Sequence, residues 1–263
     1  MASTIQDIYA KAVASQKLIA DPAQQVILPA LEELHSHLNN TVSPTGLRKM
    51  FSKDPQPVKG LYLWGGVGVG KSMLIDLFVD AVNAPKRRVH FHEFMQEVHT
   101  ALHRARKSGA KDALKPVAKA ISDKVRLLAL DEMQINDITD AMIVGRLFEQ
   151  LMASGVILMT TSNRQPDDLY KDGLNRSLFL PFIELMKTRL DVHELSSPID
   201  YRQGQLAGRA VYFHPANARS KSAIDEIWNE LAGGPGKTLV LHLKERTTEI
   251  PLFRNGVARA QFW

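Results

Sequence analysis

Apolar positions along this chain follow two spacings. Besides the half-polar, strand-like stretch Leu190-Asp191-Val192-His193-Glu194-Leu195, three short runs are apolar at nearly every position: Leu61-Tyr62-Leu63-Trp64, Val125-Arg126-Leu127-Leu128-Ala129-Leu130 and Gly155-Val156-Ile157-Leu158-Met159-Thr160. Runs of that kind predict strands buried on both faces, and Arg87-Arg88-Val89-His90-Phe91 reads as one more strand. Between them lie stretches with apolar residues three and four apart, which predict helices at 73–78, 92–107 and 137–153. Strands alternating with helices predict a parallel sheet covered on both faces, the α/β class.

The flanks differ in texture. Two helices are expected before the sheet, at 4–19 and 22–38, the second carrying Val26, Leu28, Leu31, Leu34 and Leu38. Asp21 reads as its N-cap, with Pro22 and Gln24 at the first and third helical positions. A polar linker with Pro44, Pro55 and Pro57 follows. Beyond residue 198 the expectation is a hairpin (200–214), a helix (220–231), the turn Gly233-Gly234-Pro235-Gly236 and strand-like segments to Trp263. These shifts divide the chain into an N-terminal helical segment (1–45), an α/β core (46–198) and a mixed, β-rich extension (199–263).

Composition narrows the partners little. The 263 residues are 44% hydrophobic and 23% charged, as in ordinary globular proteins, and a net charge of +5 permits contact with nucleic acid or an acidic protein without arguing for either. With no cysteine there are no disulfides or thiolate metal sites. No apolar run approaches the roughly 20 residues that cross a bilayer. The N-terminus has neither the basic nor the apolar region of a secretory signal, and no arginine before Arg48 to make a mitochondrial presequence. The expected compartment is the cytoplasm rather than the mitochondrial matrix.

Chemistry enters at Gly65-Gly66-Val67-Gly68-Val69-Gly70-Lys71-Ser72, which fits G-x-x-x-x-G-K-[ST] between a predicted strand and a predicted helix beginning at Met73. Glycines let the backbone point successive N–H groups at phosphates, Lys71 reaches the β/γ-phosphates, and the Ser72 hydroxyl joins a Mg²⁺ shell. Residues Gly65 to Met73 are therefore the expected cradle for ATP. Asp131-Glu132 ends a buried strand, where open α/β sheets place ligands. Asp131 is expected to hold Mg²⁺, directly or through water, and Glu132 to orient and deprotonate the attacking water. Such a pair standing alone is more often a solvated strand end. Asn163, at the tip of the following strand, is a candidate contact to that water or to the γ-phosphate, although Ser and Asn at strand ends are usually turn residues. Arg176 precedes Leu178-Phe179-Leu180-Pro181-Phe182; as the start of a helix it is either a surface arginine or a source of transition-state charge for a neighbouring subunit.

Two patterns invite other chemistry. His99 and His103 stand four apart beside His90 and His92, but without cysteine or clustered carboxylates they read as structural or surface rather than zinc ligands. Residues 104–126 carry eight Lys/Arg, and Lys111, Lys115 and Lys119 are expected on one helix face; without interleaved aromatics this reads as a solvated face before it reads as a nucleic-acid contact. Trp64 reads as core rather than a stacking platform.

Taken together, Lys59-Gly60-Leu61-Tyr62-Leu63-Trp64-Gly65-Gly66-Val67-Gly68, Arg88-Val89-His90-Phe91-His92-Glu93-Phe94-Met95, Asp131 through Asp140-Ala141-Met142, Thr161-Ser162-Asn163, Pro166 to Lys171, Gly173-Leu174-Asn175-Arg176 and Asp200-Tyr201-Arg202 resemble the ZapE family of AAA+ ATPases, bacterial cell-division proteins with mitochondrial relatives. Asp21-Pro22-Ala23-Gln24 matches the family's N-terminal element. The resemblance implies an AAA+ P-loop fold, with Lys71 and Ser72 as Walker A, Asp131 and Glu132 as Walker B, Asn163 as sensor 1 and Arg176 as an arginine finger. It also implies ATP-dependent homo-oligomers and a protein partner, in bacteria the tubulin-like division protein FtsZ. Two departures stand out. Val69 replaces an expected basic residue, a change of small effect if that side chain points outward. Family members also continue past Phe262-Trp263, so the lid and its sensor arginine are expected to be missing here. The expected function is a Mg²⁺-dependent ATPase that regulates or remodels a protein. The alternatives are a helicase-loader-like ATPase acting on nucleic acid, and a nucleotide-binding scaffold without turnover.

Overall fold

A computed structural model of the protein describes residues 3–15, 18–40, 58–135, 137–197, 212–243 and 246–260. The chain divides into two compact units, Met1–Arg202 and Gln203–Trp263. The expected hairpin at 200–214 and the linker prolines fall almost wholly outside the described residues.

The first unit opens with α1 (Ile5–Ala14), α2 (Pro22–Gln25) and α3 (Leu28–Asn40). Thr4 and Asp7 close a reciprocal capping box on α1, and Asp21 caps α2 as expected, accepting from Ala23 N–H at 2.9 Å. The helix expected at 22–38 is instead broken in two. Pro29 has no N–H to donate to the preceding turn, so it is accommodated in the first turn of a new helix, as its second residue.

The sheet follows in the order β2-β3-β4-β1-β5, all parallel. Its strands are β1 (Gly60–Trp64), β2 (Lys86–His90), β3 (Leu127–Asp131), β4 (Ile157–Ser162) and β5 (Leu190–Glu194). Helices α4 (Lys71–Ala81), α5 (Phe91–Lys107), α6 (Leu114–Ser122), α7 (Ile138–Ala153) and α8 (Leu180–Arg189) connect them. Because side chains alternate across a strand, the apolar run of β3 feeds two cores. Leu128 and Leu130 pack with Phe94, Leu114, Phe148 and Phe182 from α5 to α8, and Trp64 lies partly buried against them. Leu127 and Ala129 pack with Leu74 and Phe78 of α4 and Leu31 of α3. α6 begins at Leu114, so Lys111 lies in the loop before it rather than on a helix face with Lys115 and Lys119. Lys119 pairs with Asp123 at 2.7 Å.

The second unit holds α9 (Ala218–Ala232) and an antiparallel sheet of β6 (Lys237–Leu243), β7 (Arg246–Arg254) and β8 (Val257–Arg259). Trp228 anchors α9, donating from its indole N–H to Gly234 O at 3.2 Å. Among the described residues, no helix is long and apolar enough to cross a membrane.

Candidate active site

Strand order builds the site. Because β4 lies between β1 and β3, the tips of three strands meet: the phosphate loop after β1, Asn163 after β4 and Asp131 at the end of β3. Gly70 is the N-cap of α4 in the left-handed region (φ 91°) and supplies no side-chain cap, so the first-turn N–H groups are free for an anion. Lys71 starts the helix and is 7% exposed. Its ammonium donates to Gly65 O at 2.9 Å, Gly66 O at 2.5 Å and Asn163 Oδ1 at 3.0 Å. Burial holds its pKa below the usual lysine value, against the pull of the Asp131 and Glu132 carboxylates.

Ser72 Oγ donates to Asp131 Oδ1 at 3.1 Å, so a hydroxyl and a nearly buried carboxylate stand together, the hard oxygen donors that suit Mg²⁺. Thr161 Oγ1 donates to the same Oδ1 and accepts from Glu132 N–H at 2.9 Å. That bond holds Glu132 with its backbone at φ 55°, a left-handed conformation costing a non-glycine residue on the order of 1 kcal/mol or more, and leaves the residue exposed beside Asp131. Two hydrogen-bonded groups thus stand side by side, Lys71 with Asn163 and Ser72 with Asp131, Thr161 and Glu132, adjacent because Lys71 and Ser72 are consecutive.

Arg176 is held elsewhere. It opens a 3-10 turn (Arg176–Leu178) ahead of α8, and its guanidinium donates to Lys171 O at 3.0 Å and Asp167 O at 2.5 Å. Leu174 and Leu178 beside it are 73% and 58% exposed. Val69 corrects an expectation: its side chain points inward, 7% exposed, and packs in the α4-side core, while Val67 is the exposed loop residue at 58%. A basic residue at 69 would need that apolar site to open. The histidines pair locally, His99 with Asp140 at 2.6 Å and His92 with Gln96 at 2.9 Å. Sequence reasoning passed over Thr161 as a bridge, and Arg88 and Asp76 as partners around Asp131; the period of two that puts Arg88 and His90 on one strand face was the available signal.

Gly65 shows how closely the loop is fitted. A Cβ there would lie 2.2 Å from Leu195 O, whereas one at Gly66 would meet only Val69 Cγ1 at 3.8 Å. Gly65→Ala should therefore destabilise the protein by about 1–3 kcal/mol in urea unfolding, with Gly66→Ala close to neutral.

A parallel sheet of this order with a phosphate loop between β1 and α4 defines a P-loop NTPase fold of AAA+ type. Residues 3–263 match the sequence model of the AFG1-like ATPases, and the chain belongs to that family. The cell division protein ZapE of Escherichia coli (strain K12) is 36% identical over 239 residues, 86% of this chain and 63% of that protein. Lactation elevated protein 1 homolog B of Danio rerio is 40% identical over 193 residues, 69% of this chain and 38% of that protein. The chain thus spans less than two thirds of the length of these curated relatives. Among solved structures, domain III of the Thermotoga maritima replication initiation protein DnaA superposes with a TM-score of 0.52 at 16% identity, covering 83% of this chain and 89% of that one, a likeness of fold. The family expected from the motifs is borne out.

Proposed function

We propose that this chain binds ATP at the phosphate loop and hydrolyses it, using nucleotide state to regulate or remodel a protein partner. The observation that carries the reading is that two consecutive loop residues reach the tips of two other strands, Lys71 bonding Asn163 and Ser72 bonding Asp131 at one end of the sheet. Loop and helix N–H groups hold the phosphates and Lys71 neutralises them. Glu132 orients a water and takes its proton, and Asn163 links the water or γ-phosphate to Lys71. Ser72 and Asp131 are the residues that would hold Mg²⁺, which would supply positive charge to offset that of the phosphates. Family membership supports the activity; the fitted oxygen donors support the metal. The compartment we assign is the cytoplasm, and FtsZ, implied by the family resemblance, is the first partner to test.

Arg176 acts in this reading on the nucleotide of a second copy in a homo-oligomer. Its anchorage by two carbonyls on an apolar, exposed shoulder supports a fixed, outward-facing guanidinium. Phosphate release measured on mixed variants tests it. Arg176→Ala has an intact nucleotide site, and Lys71→Ala has an intact arginine. Each alone should be nearly inactive, by about 10³-fold for a lost arginine finger, and mixing them should restore turnover. Absence of recovery in mixtures that do assemble would place Arg176 outside the reaction.

A further inference from the structure

Strand β2 gives nothing to the phosphate loop, yet one of its side chains reaches the buried carboxylate. In the β2–β3 register His90 lies beside Asp131 and Arg88 beside Ala129, so Arg88 projects from the face that carries Asp131, the face covered by α4. Its Nη2 donates to Asp131 Oδ2 at 3.0 Å and its Nε to Asp76 Oδ1 at 2.9 Å. Asp76 is four residues after Ser72, so the two share a face of α4. One guanidinium therefore ties the edge strand, the phosphate-loop helix and the end of β3 together around Asp131.

The two oxygens of Asp131 have separate partners. Oδ1 accepts from Ser72, Thr161 and the Glu132 N–H, whereas Oδ2 accepts from Arg88. A carboxylate rotates readily about its last bond, and a charge-assisted bond to one oxygen sets the direction of the other. We propose that Arg88 is a positioning residue for nucleotide hydrolysis: it fixes the plane of Asp131 so that Oδ1 faces Ser72, and Asp76 fixes the plane of Arg88 in turn. This rests on the reading of Ser72 and Asp131 as the Mg²⁺ site. A lysine at 88 keeps the charge but cannot present two N–H groups in the fixed fork that meets both carboxylates.

The test compares the parent chain with Arg88→Lys and Asp76→Asn by titrating a fluorescent ATP analogue in excess EDTA and again in excess Mg²⁺, alongside phosphate release and thermal melting. In EDTA all three should bind within about twofold of one another, because the backbone cradle and Lys71 are untouched. The tightening on adding Mg²⁺ should shrink by about 10- to 100-fold in Arg88→Lys, the usual effect of removing an outer partner of a metal ligand, with turnover falling in step. Asp76→Asn should move the same way by less. Parent-like Mg²⁺ tightening in Arg88→Lys overturns the positioning role, as does an equal loss of binding in EDTA with a lowered melting temperature, which marks a purely structural tie. If the parent itself gains nothing from Mg²⁺, the metal reading fails and this inference falls with it.

Discussion

Glu132→Gln is expected to bind ATP as tightly as the parent while releasing phosphate at least about 10²-fold more slowly, the lower end of what a general base contributes. Glutamine matches glutamate in size, so the side chain still stands where the glutamate did, but its amide cannot accept a proton from water. The substitution leaves the fold alone, because the bonds that hold this position run from its backbone N–H to Thr161 and Asp131. Equilibrium binding of an ATP analogue and a phosphate-release assay, run on the same preparation, separate the two effects. Hydrolysis at the parent rate would remove Glu132 from the role of base and leave the nucleotide site standing.

Lys71→Ala should act one step earlier, on binding. The ammonium is buried and already collects three acceptors at 2.5–3.0 Å, so it is preorganised at the mouth of the loop. Losing it removes hydrogen bonds between charged groups worth about 1.5–3 kcal/mol each, and the ATP dissociation constant should rise by about 100-fold or more. Fluorescence titration measures that loss. A melting temperature near the parent's shows that the loop has not simply collapsed, since burial already opposes the lysine charge and its removal relieves that cost. Parent-like affinity in Lys71→Ala would mean that the phosphates sit elsewhere.

Both expectations rest on features of unequal legibility. The phosphate loop, the strand before it and the helix after it were readable because they are local: a glycine spacing, a short apolar run and a 3.6-residue period lie within one stretch of chain. Strand β3 and its terminal Asp131-Glu132 were equally plain, since burial on both faces leaves no polar alternation. The break at Pro29 was also written in the chain, in a residue that opens a helix but cannot continue one from the turn before it, a constraint stronger than the apolar spacing. Val69 marks a different limit. Whether a loop side chain faces solvent or core depends on what stands behind it, and here that is the α4-side core.

The sequence by itself determined the class of this protein and the residue types proposed for its chemistry, because local propensity and spacing carry both. The tertiary structure decided their grouping. Inserting β4 between β1 and β3 brings Asn163 to Lys71 across 92 positions of sequence, and pairing β2 with β3 brings Arg88 to Asp131 across 43. No period in the chain encodes those distances. They follow from which strands lie side by side, and that is set by the burial of two apolar faces at once.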